Sequence, residues 1–205
     1  MTAPEVIPGA RPLRADAQRN RQAILAAAKA VFARHGSEAQ MDDIARKAKV
    51  GMGTVYRHFP NKEALVQALI VDRFEQITSF VVEALDDPDP FNGLCRAMRR
   101  GAELAAHDRG VSALFAQQNQ TTIDRAACRL DMFAAAEELV RRARASGQLR
   151  PDFEAGDIGV LMCGVTNAMH QMAPDHRTPG PWRRHLQLVF DGMRAGTARS
   201  PLPDE

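Results

Sequence analysis

The chain has 205 residues, enough for one or two domains with a sizeable core. Its charged fraction of 25% and hydrophobic fraction of 45% are ordinary for a globular protein and exclude a low-complexity disordered chain. Net charge is only +2, but residues 1–60 carry 10 Lys and Arg against 5 Asp and Glu, while residues 61–205 carry 17 against 20. A basic head on an acidic body suits a polyanionic partner for the head alone. The 5% aromatic content and frequent alanine favour helix over sheet. No run approaches the ~18–20 apolar residues of a membrane helix, and Pro4, Pro8 and Pro12 interrupt an N-terminus without an apolar leader. A cytoplasmic location with no membrane partner is the expectation. Cys95, Cys128 and Cys163 lie far apart, with neither metal nor disulfide spacing, and read as small buried or half-buried apolar residues.

Residues 1–15 are unpatterned and read as a flexible basic arm. From it and just beyond, Arg11, Arg14, Arg19 and Arg21 can reach phosphate or a minor groove. Asp16 is a plausible N-cap for a first helix to about His35, with Ile24, Leu25, Ala28, Val31 and Phe32 as its apolar stripe and Gly36 as its stop. Met41 to Lys62 reads as two short helices around a turn. Ile44, Ala45 and Ala48 form the apolar face of the first; Val55 and Phe59 form that of the second. Thr54, Tyr56, Arg57 and His58 fall on other faces, a polar surface of the kind that reads a DNA major groove.

This stretch resembles the DNA-binding domain of the TetR family of bacterial transcriptional regulators. The matching residues are Ile44-Ala45, Ala48 and Val50, then Gly53-Thr54-Val55-Tyr56-Arg57-His58-Phe59, then Lys62-Glu63-Ala64-Leu65. The match runs from near Arg19 to Leu69. It implies an all-α fold of about nine helices. A three-helix helix-turn-helix domain would occupy residues 16–61, and a helical ligand-binding and dimerisation bundle residues 62–199, with a frayed tail at 200–205. Two positions depart from the family pattern. Lys49 stands where the family has glycine, at a cost of about 1 kcal/mol if its φ is positive. Gln40 stands where the family often has threonine, which puts one phosphate contact in doubt.

With the resemblance, the expected DNA-binding set is Lys47, Lys49, Gly53, Thr54, Tyr56, Arg57, His58 and Lys62. Thr54 can meet a base edge or thymine methyl, and Arg57 suits guanine. Tyr56, His58 and Lys62 hold phosphates, which the Gly53 N–H can also approach. The plain alternative for each is a solvated residue on a helix.

The rest of the chain reads as helix. Asn61 caps a helix from about Lys62 to Leu85, with Leu65, Leu69, Ile77, Val81 and Leu85 inward, and the Asp86–Pro90 run ends it. Phe91 to about His107, a short segment from Val111 to Gln118, and a helix from Thr121 or Thr122 to Ser146 follow. In the last of these Ile123, Leu130, Phe133, Val140 and Ala143 face inward. Residues 154–172 and a helix opening at Pro181 or Trp182 complete the chain. The resemblance implies that these last two helices pair with those of a second copy, through Gly159, Gly164, Ala168, Trp182, Leu186, Val189 and Phe190.

For a small-molecule effector the candidate lining is Met98, Glu103, His107, Phe115, Gln118, Met132, Met162, Asn167 and His170, a mostly apolar set with a few polar groups. The alternative places the methionines in the core and the polar residues on the surface. No phosphate loop, nucleophile elbow or metal-ligand spacing appears, so no enzyme activity, cofactor or metal is expected. The expectation is therefore a homodimeric repressor of a palindromic double-stranded DNA operator, released by an unknown small molecule. An activator, or a regulator answering to a protein partner, stays open beside it.

Overall fold

A computed structural model describes residues 10–108, 111, 125–171, 181–197 and 200–202. Among these are eight α-helices and no strand. They are α1 Ala10–His35, α2 Met41–Ala48, α3 Met52–His58, α4 Lys62–Ala84, α5 Pro90–His107, α6 Arg125–Ala145, α7 Ala155–Gln171 and α8 Pro181–Met193. The expected segment from Val111 to Gln118 lies outside the described residues, apart from Val111. The chain divides into two compact units, Met1–Leu69 and Ile70–Glu205, and the division falls inside α4.

The first unit is built on α1, which packs on α2 and α3. Ile24, Ala28 and Phe32 are fully buried and Leu25 and Val31 nearly so, as the 3.6-residue spacing requires. Ile44, Val55 and Phe59 from the two short helices and Leu65 and Leu69 from the start of α4 are buried as well. α1 starts at Ala10, not after Asp16. Pro12 does not prevent this, because a first-turn proline lacks only an N–H that would be orphaned anyway. Asp16 is instead paired with Arg19 one turn on. Asn61 does cap α4, accepting from the Ala64 N–H at 2.8 Å.

In the second unit α5 lies against α6, α7 and α8. Phe91, Leu94, Met98, Leu139, Val140, Leu149, Phe153 and Leu186 make up much of the core. Phe133, expected to point inward from α6, is 45% exposed. The α4–α5 turn is tightly tied. Asp87 is buried, 2.6 Å from the Arg96 guanidinium, and it also accepts from the Asp89 N–H and the Asn92 side chain. Asp89 caps α5 through the Asn92 N–H. Arg142 donates to the Leu85 carbonyl, at the end of α4. Arg73, buried at 7% exposure, donates to the Leu104 carbonyl at 3.4 Å and lies 4.0 Å from Asp108. Burial pulls its pKa below the ordinary arginine value, and Asp108 works against that shift.

Gly93 has no room for a side chain. A Cβ there would lie 2.7 Å from the Ala84 carbonyl oxygen and 3.0 Å from the Asp87 Cβ. No rotamer change relieves a clash with backbone. Gly93→Ala is therefore expected to lower unfolding stability by about 1–3 kcal/mol, read as a shift of the denaturant midpoint.

Met193 to Ala195 and Ser200 to Leu202 are held to the loop between α6 and α7. Leu149 and Arg194 form an isolated antiparallel bridge. The Arg150 N–H donates to the Met193 carbonyl, and the Ala195 N–H to the Gln148 carbonyl. Arg150 grips Asp152 with two nitrogens and donates to the Ser200 carbonyl at 2.9 Å. Asp152 in turn accepts from the Leu202 N–H at 2.8 Å. Ser200 to Leu202 are thus tied down where a frayed tail is expected. The Arg150 guanidinium and the Leu202 N–H hold the Asp152 carboxyl well below the usual carboxylate range. Their contribution is complete above the unfolded value of about 3.9 and is lost as pH falls through the depressed folded value.

Candidate DNA interface

The site is assembled from α2, α3 and the turn between them. The end of α2 is a Schellman turn. The Val50 N–H donates to the Ala45 carbonyl at 3.1 Å and the Lys49 N–H to the Arg46 carbonyl at 3.3 Å. Lys49 is left in the left-handed region, at φ 57° and ψ 39°, and among the described residues only this non-glycine has a positive φ. A Cβ costs about 1 kcal/mol there relative to glycine. The head therefore carries a strained residue at the corner of its reading motif, with the lysine exposed. Lys49→Gly is expected to stabilise the head by about 1 kcal/mol in a denaturant titration.

Gln40, which precedes α2, makes no side-chain cap. Its amide donates instead to the Glu38 carbonyl at 2.9 Å. Asp42 and Asp43 in the first turn complement the α2 dipole, and Asp43 also pairs with Arg46.

α3 has only seven residues and cannot hold itself in water. Val55, fully buried, and Phe59, 3% exposed, brace it. The Arg21 guanidinium lies 5.3 Å from the Phe59 ring centroid and covers its edge of the core. Tyr56, at 49% exposure, and Arg57 stand outward, with Thr54 and His58 half-buried beside them. Lys47 and Gly53 are also exposed, and a Cβ at Gly53 would meet nothing within 4 Å. The backbone at Gly53 is thus open on its outer side.

Lys62 differs from this set. Its Nζ donates to the Ser37 carbonyl at 2.5 Å and lies 5.8 Å from the Phe32 ring centroid. The side chain folds back on its own unit, tying the start of α4 to the end of α1. A phosphate contact by Lys62 would have to compete with that bond.

The described effector candidates differ in burial. Met98 is core, Met132 and Met162 are half-buried, and His107 and Asn167 are exposed. Glu103 faces Arg183 at 3.5 Å. Phe115, Gln118 and the His170 side chain lie outside the described residues. An open groove of about 530 Å³ between α6 and the start of α7 is lined by Phe133, Glu137, Arg141 and Glu154 and by none of the candidates.

Of the interface candidates, Gly159, Gly164 and Ala168 lie on the exposed face of α7. Trp182, Leu186 and Phe190 instead fill the subunit's own core, at 7%, 1% and 3% exposure, and Val189 packs partly against it. Sequence reading missed the outward apolar residues: Val160 is 75% exposed and Leu188 61%. The available signal was their place on the helix faces opposite the core stripes. Cys163 shares the α7 face and is exposed, contrary to expectation, whereas Cys95 is buried and its thiol is pushed up to about 11 by that burial.

A model of bacterial regulatory proteins of the tetR family matches residues 24–69, and a model of an SbtR-like C-terminal domain of transcriptional regulators matches residues 89–195. The chain is 27% identical over 209 residues to the HTH-type transcriptional repressor LfrR of Mycolicibacterium smegmatis, covering 100% of this chain and 92% of that one. It is 31% identical over 158 residues to the HTH-type transcriptional repressor BepR of Brucella suis biovar 1, covering 71% and 76%. The structure of a TetR transcription regulatory protein from Mycobacterium vanbaalenii superimposes with a TM-score of 0.66 at 34% identity, covering 89% of this chain and 99% of that one.

Proposed function

The chain belongs to the TetR family of bacterial regulatory proteins, DNA-binding regulators of transcription, and from that premise we propose that it is a homodimeric repressor of a palindromic operator, released by a small molecule. The observation that carries this reading is the exposed polar face of α3, with Tyr56 and Arg57 outward and Val55 and Phe59 locked beneath. Thr54 and Arg57 read base edges. Tyr56, His58 and Lys49 hold phosphates and fix the register.

One seven-residue helix contacts few base pairs. Two copies on a two-fold axis read half-sites about one DNA turn apart, and affinity rises through the linkage. Repression is the reading that the names of LfrR and BepR support. An effector coupling of ~1–3 kcal/mol gives a roughly 5–150-fold release.

The test is selection of bound sites from random duplex DNA by the full-length protein, followed by a reporter carrying the selected site. An inverted repeat and a reporter that falls when the protein is supplied are expected. No enriched sequence, or a reporter that rises, overturns the repressor reading. Tyr56→Ala is expected to weaken binding severalfold on operator and random DNA alike. A loss confined to the operator would reassign Tyr56 to base reading. Lys49→Gly, which stabilises the head, is expected to lower affinity and make the salt dependence shallower by about 0.9 per subunit.

A further inference from the structure

The early start of α1 places its charges on one line. Positions 11, 14, 18, 21, 25, 28 and 32 recur at alternating steps of three and four, one face of an α-helix. The C-terminal half of that face is Leu25, Ala28 and Phe32, all buried against α2 and α3. The N-terminal half is Arg11, Arg14, Gln18 and Arg21. The face changes from apolar to cationic where it leaves the core.

Arg21 marks the crossing. Its guanidinium lies over Phe59, the residue that closes α3, so the cationic line begins at the end of the reading helix. From Arg21 back to Arg11 is ten residues, about 15 Å of helix. Residues 15–19 are exposed throughout, so the described side chains between Arg14 and Asn20 pack on nothing in their own unit. Arg19, the remaining arginine of the stretch, is off the line and paired with Asp16.

We infer that the first three turns of α1 form a helical basic strut that lies along the DNA backbone beside the groove occupied by α3, with Arg11 and Arg14 neutralising phosphates there. A polyanion is the occupant that the line of cations fits, and its position next to Phe59 selects the same duplex that α3 reads. The inference rests on the DNA-binding reading and adds contacts outside the helix-turn-helix motif.

The test uses full-length protein and the selected operator within longer flanking DNA. Affinity is measured from 50 to 300 mM salt for the wild type, the Arg11→Ala/Arg14→Ala double variant, its Arg11→Lys/Arg14→Lys counterpart and Arg19→Ala. Removing two phosphate contacts per subunit is expected to make the slope of log affinity against log salt shallower by about 1.8 per subunit and to weaken binding about tenfold at 100 mM. The lysine pair restores the slope, Arg19→Ala leaves it unchanged, and the selected sequence is the same for all. Hydroxyl-radical footprints are expected to contract at the strut in the alanine pair alone. Unchanged slope and footprint in that pair overturn the strut while leaving α3 as the reader. Loss of sequence preference in the wild type would instead overturn the DNA reading itself.

Discussion

Leu188→Glu and Val160→Glu are each expected to convert the proposed dimer to a monomer and to lower operator affinity by ~10²–10⁴-fold, the avidity that linked half-sites supply. Both residues are largely exposed in the subunit, at 61% and 75%. A glutamate at either place costs the isolated fold little. In an interface it would be a buried, unpaired charge repeated by symmetry. Light scattering should give a mass near 22.5 kDa for the variants and twice that for the wild type. A wild-type dimer that neither substitution disturbs would place the interface elsewhere. Trp182→Ala is no substitute for this experiment, because Trp182 lies in the subunit's own core, and its loss would unfold the bundle before it informed on pairing.

Phe32→Ala is expected to cost about 3–5 kcal/mol, the range for removing a fully buried phenylalanine. The unit that contains it ends at Leu69. A single core of that size rarely supplies more than about 3–5 kcal/mol. The variant should therefore lose operator binding altogether and lose the part of the far-ultraviolet helical signal that belongs to α1, α2 and α3, while retaining that of the bundle. A head that melts at the wild-type temperature would show that Phe32 is replaceable and that α1 is held mainly through Ile24 and Ala28.

The reading motif was legible because its information is local. The alternation of Val55 and Phe59 with Tyr56 and Arg57 assigns faces without reference to the rest of the chain, and the αL position of Lys49 follows from where α2 must stop. The start of α1 was harder. Pro12 reads as a breaker in an unpatterned stretch, yet the first turn is where a helix tolerates it. The Lys62 bond to Ser37 was not legible because a flexible stem of four carbons can turn either to solvent or back to that carbonyl, and only the packed head selects between them. The interface residues were limited by a different ambiguity. Periodicity groups Trp182, Leu186 and Phe190 on one face, but an apolar face is the same in sequence whether α5 or another subunit covers it. In the structure α5 covers it, and the outward apolar residues are Leu188 and Val160.

The tie between Arg150, Asp152 and the chain end governs how the bundle opens. Helix termini ordinarily open first, with a free energy near zero. Here Arg194, Ala195, Ser200 and Leu202 are each bonded to the α6–α7 loop. Releasing Leu202 takes one donor from the Asp152 carboxylate and releasing Ser200 takes one acceptor from Arg150, while the Arg150–Asp152 pair stays intact on the loop and the Leu149–Arg194 bridge holds the end of α8 to it. The α6–α7 loop and the segment that carries Ser200 and Leu202 are thus coupled in opening, through contacts between residues some fifty positions apart. Slow amide exchange in this region would be a property of the loop and the tail together, set by the weakest bond in the ring they make.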